Sequence, residues 1–233
     1  MTQQINTIDF GGVNCYLVKT GSGFILIDTG YAAKQVTLHT ELEKAGCKPG
    51  NLGLIILTHG DHDHAGNCTF LREKYGAKIA MHAADLGIVE RGDMGWNRKA
   101  RPDKSSIISK MIGVIAPLFN PGKFETLTPD LTIDEGYDLS PYSFDSKILH
   151  LPGHSKGSIG ILTGNNDLFC GDFFRNKPRP SIGTIDDPSD YESSFEKLKK
   201  IKINQLYPGH GRPFRMNEIL SLTGSDEMVQ RQP

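Results

Sequence analysis

Apolar residues along this 233-residue chain fall into short runs rather than long stripes. Runs at 14–18, 23–28, 52–58, 78–82, 147–151, 157–164, 167–172 and 203–207 have the length and the β-branched, aliphatic make-up of strands. The run 52–57, with hardly a polar residue, reads as a central strand buried on both faces. Between these runs the segments 34–45, 65–75, 83–90, 105–115 and 190–200 read as helices. Strands alternating with helices predict an α/β domain. The length suits one domain with a sizeable core. The stretch 91–129 breaks the pattern. It opens basic, with Arg91, Arg98, Lys99, Arg101 and Lys104, and turns apolar from Ile107 to Phe119 before a Pro-Gly turn. It reads as an inserted cap over a site, or else as an extra helix packed on the core or at a homodimer contact.

Chemistry concentrates at the end of the run 52–57. Thr58-His59-Gly60-Asp61-His62-Asp63-His64 holds three imidazoles and two carboxylates on a strand-to-helix loop. The carboxyl ends of strands in α/β sheets are where ligand sites collect. Packed without a cation, so many titratable groups would cost several kcal/mol, and a divalent ion removes that cost. Three further segments place a His or Asp beside glycine just after an apolar run, ending at His154, Asp172 and His210. Glycine there allows a sharp turn and a close approach.

These segments, in this order and over nearly the whole chain, resemble the metallo-β-lactamase superfamily, and Asp28-Thr29-Gly30 resembles its Asp-Thr-Gly turn. The resemblance implies a four-layer αββα sandwich and two divalent ions per chain, zinc first, with iron or manganese as alternatives. It implies His59, Asp61 and His154 around the first ion and Asp63, His64 and His210 around the second. Asp172 would bridge them, and Asp28 would brace the loop. The common loop is His-x-His-x-Asp-His, and here Asp61 stands where the second His would be. The register is set by Asp63-His64-Ala65-Gly66-Asn67, which leaves His62 lining the pocket. Residues 59 and 61 point the same way in an extended segment. Two imidazoles and a carboxylate also suit ferrous iron or manganese.

The implied activity is hydrolysis of an ester, thioester, lactone or phosphoester by a hydroxide shared between two ions, with Asp63 and Asp172 as catalytic groups. An iron-dependent oxidoreductase or oxygenase, or a metal-retaining binding protein, are the other readings. Arg175, with Lys177 and Arg179 nearby, and His62 are the candidate contacts to a small anionic substrate. Lys plus Arg total 26 against 27 Asp plus Glu, so overall charge makes no case for nucleic acid or a membrane surface. The start lacks the basic and apolar regions of a secretory signal, and Cys15, Cys47, Cys68 and Cys170 are scattered, so a cytoplasmic protein with buried thiols is expected. A secreted β-lactamase is disfavoured by Asp172 in place of a bridging Cys. A glyoxalase II is disfavoured by the short stretch after His210, and an acyl-homoserine lactonase by Arg175 where a Tyr is usual. His39, His82 and His150 read as packing or surface histidines, and Tyr31 and Trp96 as pocket walls.

Overall fold

The structure is a computed structural model that describes residues 4–99 and 124–223. The first sheet takes β1 (Ile5–Asp9), β2 (Asn14–Thr20), β3 (Gly23–Ile27), β4 (Leu52–Ile56), β5 (Lys78–Met81) and β6 (Leu131–Thr132), in that spatial order. Its first pairs are antiparallel and β3 to β6 are parallel. Each parallel step needs a crossover. These are supplied by α1 (Gln35–Lys44), by α2 (His62–Ala65) with α3 (Cys68–Tyr75), and by the segment that begins with α4 (Leu86–Arg91). The second sheet comprises β7 (Ser146–His150), β8 (Ile159–Thr163), β9 (Leu168–Asn176), β10 (Pro180–Ile182), β11 (Gln205–Gly211) and β12 (Phe214–Arg215). Its order is β12-β11-β9-β8-β7, with β10 on β9. Only β9 and β11 run parallel among its described pairs, and α5 (Pro188–Lys199) crosses between them. A last helix, α6 (Met216–Thr223), follows β12.

Strand parity builds the layers. On β2, Tyr16 and Val18 face inward with Ile25, Ile27, Leu54 and Ile56, and meet Ile148, Ile159, Ile161 and Phe169 of the second sheet. The alternate residues Leu17, Leu26, Ile55 and Leu57 face out and bury Leu38 and Leu42 of α1 with Leu71 and Tyr75 of α3. On the far side, Leu149, Leu151, Leu168 and Cys170 pack on Tyr191, Phe195 and Leu198 of α5. Helix, sheet, sheet, helix is the expected αββα order.

Several boundaries differ from the sequence reading. The helix expected over 65–75 begins at His62 and is broken at Gly66-Asn67, where Asn67 turns to hold the chain around Thr29 and Tyr31. The strand expected to stop at Asp172 runs on to Asn176, because β10 folds back on it and supplies the partner that prolongs it. β1, half exposed and polar at alternate positions, gave no apolar run to find. The helix expected over 105–115 lies outside the described residues. No described helix is long and apolar enough to cross a membrane.

Candidate metal centre

The strand ends of both sheets meet at one rim, and the expected ligands gather there. β4 delivers His59 and, two residues on, Asp61, the N-cap of α2, whose first turn carries Asp63 and His64. The β7–β8 loop brings His154, β9 brings Asp172 and β11 brings His210. Two glycines make the approach tight enough. Gly171 has φ +50, and a Cβ on it would lie 2.6 Å from Thr58 Oγ1. A Cβ on Gly209 would strike the Asp172 carboxylate and lie 2.6 Å from His64 Cε1.

The imidazoles share one arrangement. Nδ1 of His59 lies 3.0 Å from Thr58 Oγ1, and that hydroxyl already donates to Asp28 Oδ2 at 2.8 Å, so Nδ1 must be the donor to it. His64 Nδ1 reaches Asp28 Oδ2 at 2.9 Å, His154 Nδ1 the Thr184 carbonyl at 2.8 Å, and His210 Nδ1 the Gly12 carbonyl at 2.6 Å. All these partners are acceptors, so each ring carries a proton on Nδ1, and Nε2 is the atom that faces the site. Nε2 of His59, His64 and His154 is buried, as is Asp172 Oδ1, and none has a hydrogen-bond partner among the described residues. Buried polar atoms are normally paired, so four orphans aimed at one space fit an ion well.

Donor spacing divides the space in two. Donors of His59, His154 and Asp172 lie within 4.8 Å of one another, as do those of Asp63, His64 and His210. Asp61 Oδ2 joins the first group, 3.6 Å from His59 Nε2 and 3.4 Å from His154 Nε2. Asp172 reaches the second as well, 3.2 Å from His64 Nε2 and 3.1 Å from His210 Nε2. The seven expected residues therefore converge on two adjacent donor groups that both approach Asp172. Burial opposes ionisation of Asp61, Asp63 and Asp172, yet the surrounding imidazoles outweigh it. Asp61 and Asp172 are held well below the usual carboxylate range and Asp63 at about 2. Conversely, the carboxylates overcome burial at His64 and His154 and lift His210 to about 9. His59 alone is lowered, by burial and by His64 beside it. The site wants positive charge, and protons supply it when ions do not.

Braces hold this set. Asp28, in the left-handed region at φ 59, accepts from Thr58 N and Thr58 Oγ1, each at 2.8 Å, and from His64. Thr29 Oγ1 donates to the His64 carbonyl at 2.8 Å. Two braces went unseen in sequence. Asp85, 1% exposed, joins Gly60 to the His154 loop through Ser155 and Gly157. Arg98 pairs with Asp61 and donates to the His154 carbonyl at 3.2 Å. Nothing local singled them out beyond a carboxylate opening α4 and one cation among several.

The remaining candidates divide. His62 stands at the rim against Tyr31, ring centroids 5.4 Å apart, and touches Met94. Arg175 is in register with His210, but its Nε donates to Ile182 O at 3.1 Å and its Nη2 reaches Thr184 Oγ1 at 3.4 Å, steadying the strap that holds His154. Lys177 and Arg179 are exposed. Trp96 packs over Gly87 and Arg91. His39 bonds the Tyr75 hydroxyl at 2.7 Å, away from the rim. His82, Asp134 and His150 also cluster, yet the two rings stack at 4.0 Å with planes 12° apart. Lone pairs lie in the ring planes, so parallel stacked rings cannot both point at one ion about 2 Å away. His82 Nδ1 moreover accepts from Ala84 N at 3.1 Å, which puts its proton on Nε2 toward Asp134.

A family model, the Metallo-beta-lactamase superfamily, matches residues 8–210, and the chain belongs to that superfamily. Among its relatives, the beta-lactamase-like protein 2 homolog of Drosophila melanogaster is 29% identical over 86% of this chain, which spans 59% of that protein's length. The probable metallo-hydrolase MJ0888 of Methanocaldococcus jannaschii is 30% identical over 85% of this chain and 87% of its own. The acyl-coenzyme A thioesterase MBLAC2 of Bos taurus is 23% identical over 91% and 77%. Among solved structures, TTHA1623 in a di-iron-bound form is similar with a TM-score of 0.67 and 26% identity, covering 92% of this chain and 95% of that one.

Proposed function

We propose that this protein is a metal-dependent hydrolase that cleaves an ester, thioester, lactone or phosphoester bond in a small anionic substrate. One observation carries the reading: two donor groups share Asp172, and buried Nε2 atoms of His59, His64 and His154 face carboxylates without a hydrogen bond among the described residues. His59, Asp61 and His154 would hold one ion, Asp63, His64 and His210 the other, with Asp172 between them. Ions bound there supply a Lewis acid and an activated water at neutral pH. Asp63, whose Oδ2 faces His64 and His210 and whose side chain is 14% exposed, is placed to carry a proton to the leaving group. His62 at the rim and Arg175 beside His210 are the proposed substrate contacts. We take the start of the 91–129 segment as part of a cap on a single domain, supported by the contacts of Met94 and Arg98 with His62 and Asp61; residues 100–123 of it lie outside the described residues. Four buried unpaired thiols support a reducing, cytoplasmic setting. The thioesterase among the relatives supports an acyl substrate with an anionic carrier.

Elemental analysis of protein purified without chelator, with zinc, iron and manganese supplied, should find two ions per chain, zinc foremost. Asp172→Ala should lose one ion and all turnover on a panel of esters, thioesters, lactones and phosphodiesters. A single iron ion, with activity dependent on dioxygen, would instead select the oxygenase reading, which the two imidazoles and carboxylate at His59, His154 and Asp61 favour. Full activity in Asp172→Ala refutes the shared-site hydrolase.

A further inference from the structure

Asp61 is the one ligand position at which this chain departs from the common loop, and the structure gives it an unusual partner. Its side chain and that of Arg98 are each only 8% exposed. Asp61 Oδ1 accepts from Arg98 Nη2, while Oδ2 turns to His59 Nε2 at 3.6 Å and His154 Nε2 at 3.4 Å. Arg98 Nη1 donates to the His154 carbonyl at 3.2 Å, so a single guanidinium spans two ligand-bearing loops. The strap that carries it is tied on both sides. Lys156 Nζ donates to Asn97 Oδ1 at 3.1 Å, the Lys99 amide donates to Asp186 at 3.2 Å, and the Lys99 ammonium pairs with Asp187.

Charge gives this arrangement its meaning. An imidazole ligand is neutral, whereas a carboxylate adds a full negative charge to a buried space that already holds Asp63 and Asp172. A guanidinium is always protonated, and its planar fork fixes the oxygen it touches. A carboxylate left free to rotate could offer either oxygen, or both, to an ion. With Oδ1 held by Arg98, only Oδ2 faces the imidazoles.

We propose that Asp61 and Arg98 act as one unit, in which Arg98 is a positioning residue that fixes Asp61 Oδ2 toward the first ion and cancels its charge, so that the pair stands in for the neutral imidazole of the common loop. This rests on the reading of Asp61 as a ligand. Either residue without the other is then worse than neither. Asp61→His alone strands a buried cation beside a divalent ion, and Arg98→Gln alone leaves the carboxylate unheld and uncompensated.

The test is titration of the metal-free full-length protein with cobalt(II), read by visible absorption and by chelator competition, so that each ion's affinity is measured without turnover. Wild type should bind two ions and Asp61→Ala only one tightly. Arg98→Gln should weaken one ion by about ten- to a hundred-fold and leave the other unchanged. Arg98→Lys, which keeps charge but not the fork, should recover only part of that loss. Asp61→His should be weak at the same ion, and Asp61→His with Arg98→Gln should bind it at least about tenfold more tightly than Asp61→His alone. The unchanged second ion reports that each variant folds, and Arg98→Lys serves if Arg98→Gln holds neither. Unaltered affinities in Arg98→Gln, or no gain in the double variant over Asp61→His, overturn the proposal while leaving Asp61 as a ligand. Two tight ions in Asp61→Ala refute the ligand reading, and the pair with it.

Discussion

Removing the Asp85 carboxylate should weaken the candidate site for the first ion more than that for the second. Its Oδ1 accepts from Gly157 N at 2.7 Å, and its Oδ2 from Ser155 Oγ at 2.6 Å and Gly60 N at 3.1 Å. Gly60 lies between His59 and Asp61, and Ser155 follows His154. One carboxylate therefore ties the peptide between His59 and Asp61 to the loop of His154, the three candidate ligands of one ion, while Asp63 and His64 of the other group lie further along, on α2. Asp85→Ala leaves the Gly60 and Gly157 N–H groups without an acceptor, while Ser155 Oγ keeps Ser158 Oγ as a neighbour at 2.7 Å. Each bond to a charged group is worth about 1.5–3 kcal/mol, and the simultaneous relief of burying a charge offsets part of the sum. A net loss of about 2–4 kcal/mol follows from the two N–H groups left unpaired. Asp85→Asn keeps one acceptor oxygen for Ser155 and Gly60 but turns an amide N–H2 toward Gly157 N–H, and should cost about 1–3 kcal/mol. Urea unfolding of the metal-free protein measures the losses, and cobalt(II) titration shows which ion weakens. If both variants unfold within about 0.5 kcal/mol of wild type, the usual range for neutral surface changes, the tie has been misread. Equal weakening of both ions would show that Asp85 supports the rim as a whole rather than one half of it.

His62→Ala should leave both ions bound at wild-type affinity and change only KM or rate, since the ring stands against Tyr31 at the rim; loss of an ion in that variant would show that the loop register is wrong. Arg175→Ala should raise KM for the best anionic substrate about tenfold or more, as loss of a charge-assisted contact does, with metal content unchanged. Because its Nε and Nη2 also hold Ile182 and Thr184, unfolding must be measured alongside, and a drop in stability with no change in KM would assign Arg175 to bracing alone. For the metal-free protein, His210 is raised from 6.5 to about 9. Its pairing with Asp172 and Asp63 thus stabilises the fold fully below about pH 6.5 and is lost as pH climbs through 9. The urea midpoint of chelated protein should fall between pH 6.5 and 9, and ion affinity should rise over the same window as the bound protons are released; a flat midpoint would contradict the charge balance described for the site.

What could be read from sequence was what is local. The candidate ligands stood out because chemistry is dense between His59 and His64, and because His154, Asp172 and His210 each follow an apolar run beside a glycine. Central strands were legible because β2 to β4 and β8 are buried on both faces, which leaves a continuous apolar signature. β10 and β12, two or three residues long, carry too few positions for any period to show. The braces failed for another reason. Asp85 lies 25 positions from Gly60 and 70 from Ser155, and Arg98 lies 37 from Asp61. Each is an ordinary charged residue in its own neighbourhood, and only the fold reveals that the charge is buried.

Position 61 shows how far a departure from a family pattern can be interpreted without coordinates. A carboxylate there looks like a harder, more negative first site, which argues for a change of metal. Arg98 weakens that argument. Once the guanidinium has taken one oxygen and one unit of charge, an ion bound there would meet a single oxygen donor in a space whose net charge equals that of the common loop. A shift in metal preference would then come from the donor atom alone, oxygen being harder than imidazole nitrogen, and not from the field of the site. Metal preference should therefore move less in Asp61→His with Arg98→Gln, relative to wild type, than in Arg98→Gln alone, where the charge is left unbalanced. Competition between zinc and manganese for the first position measures both shifts, and a larger shift in the double variant would mean that donor identity outweighs charge.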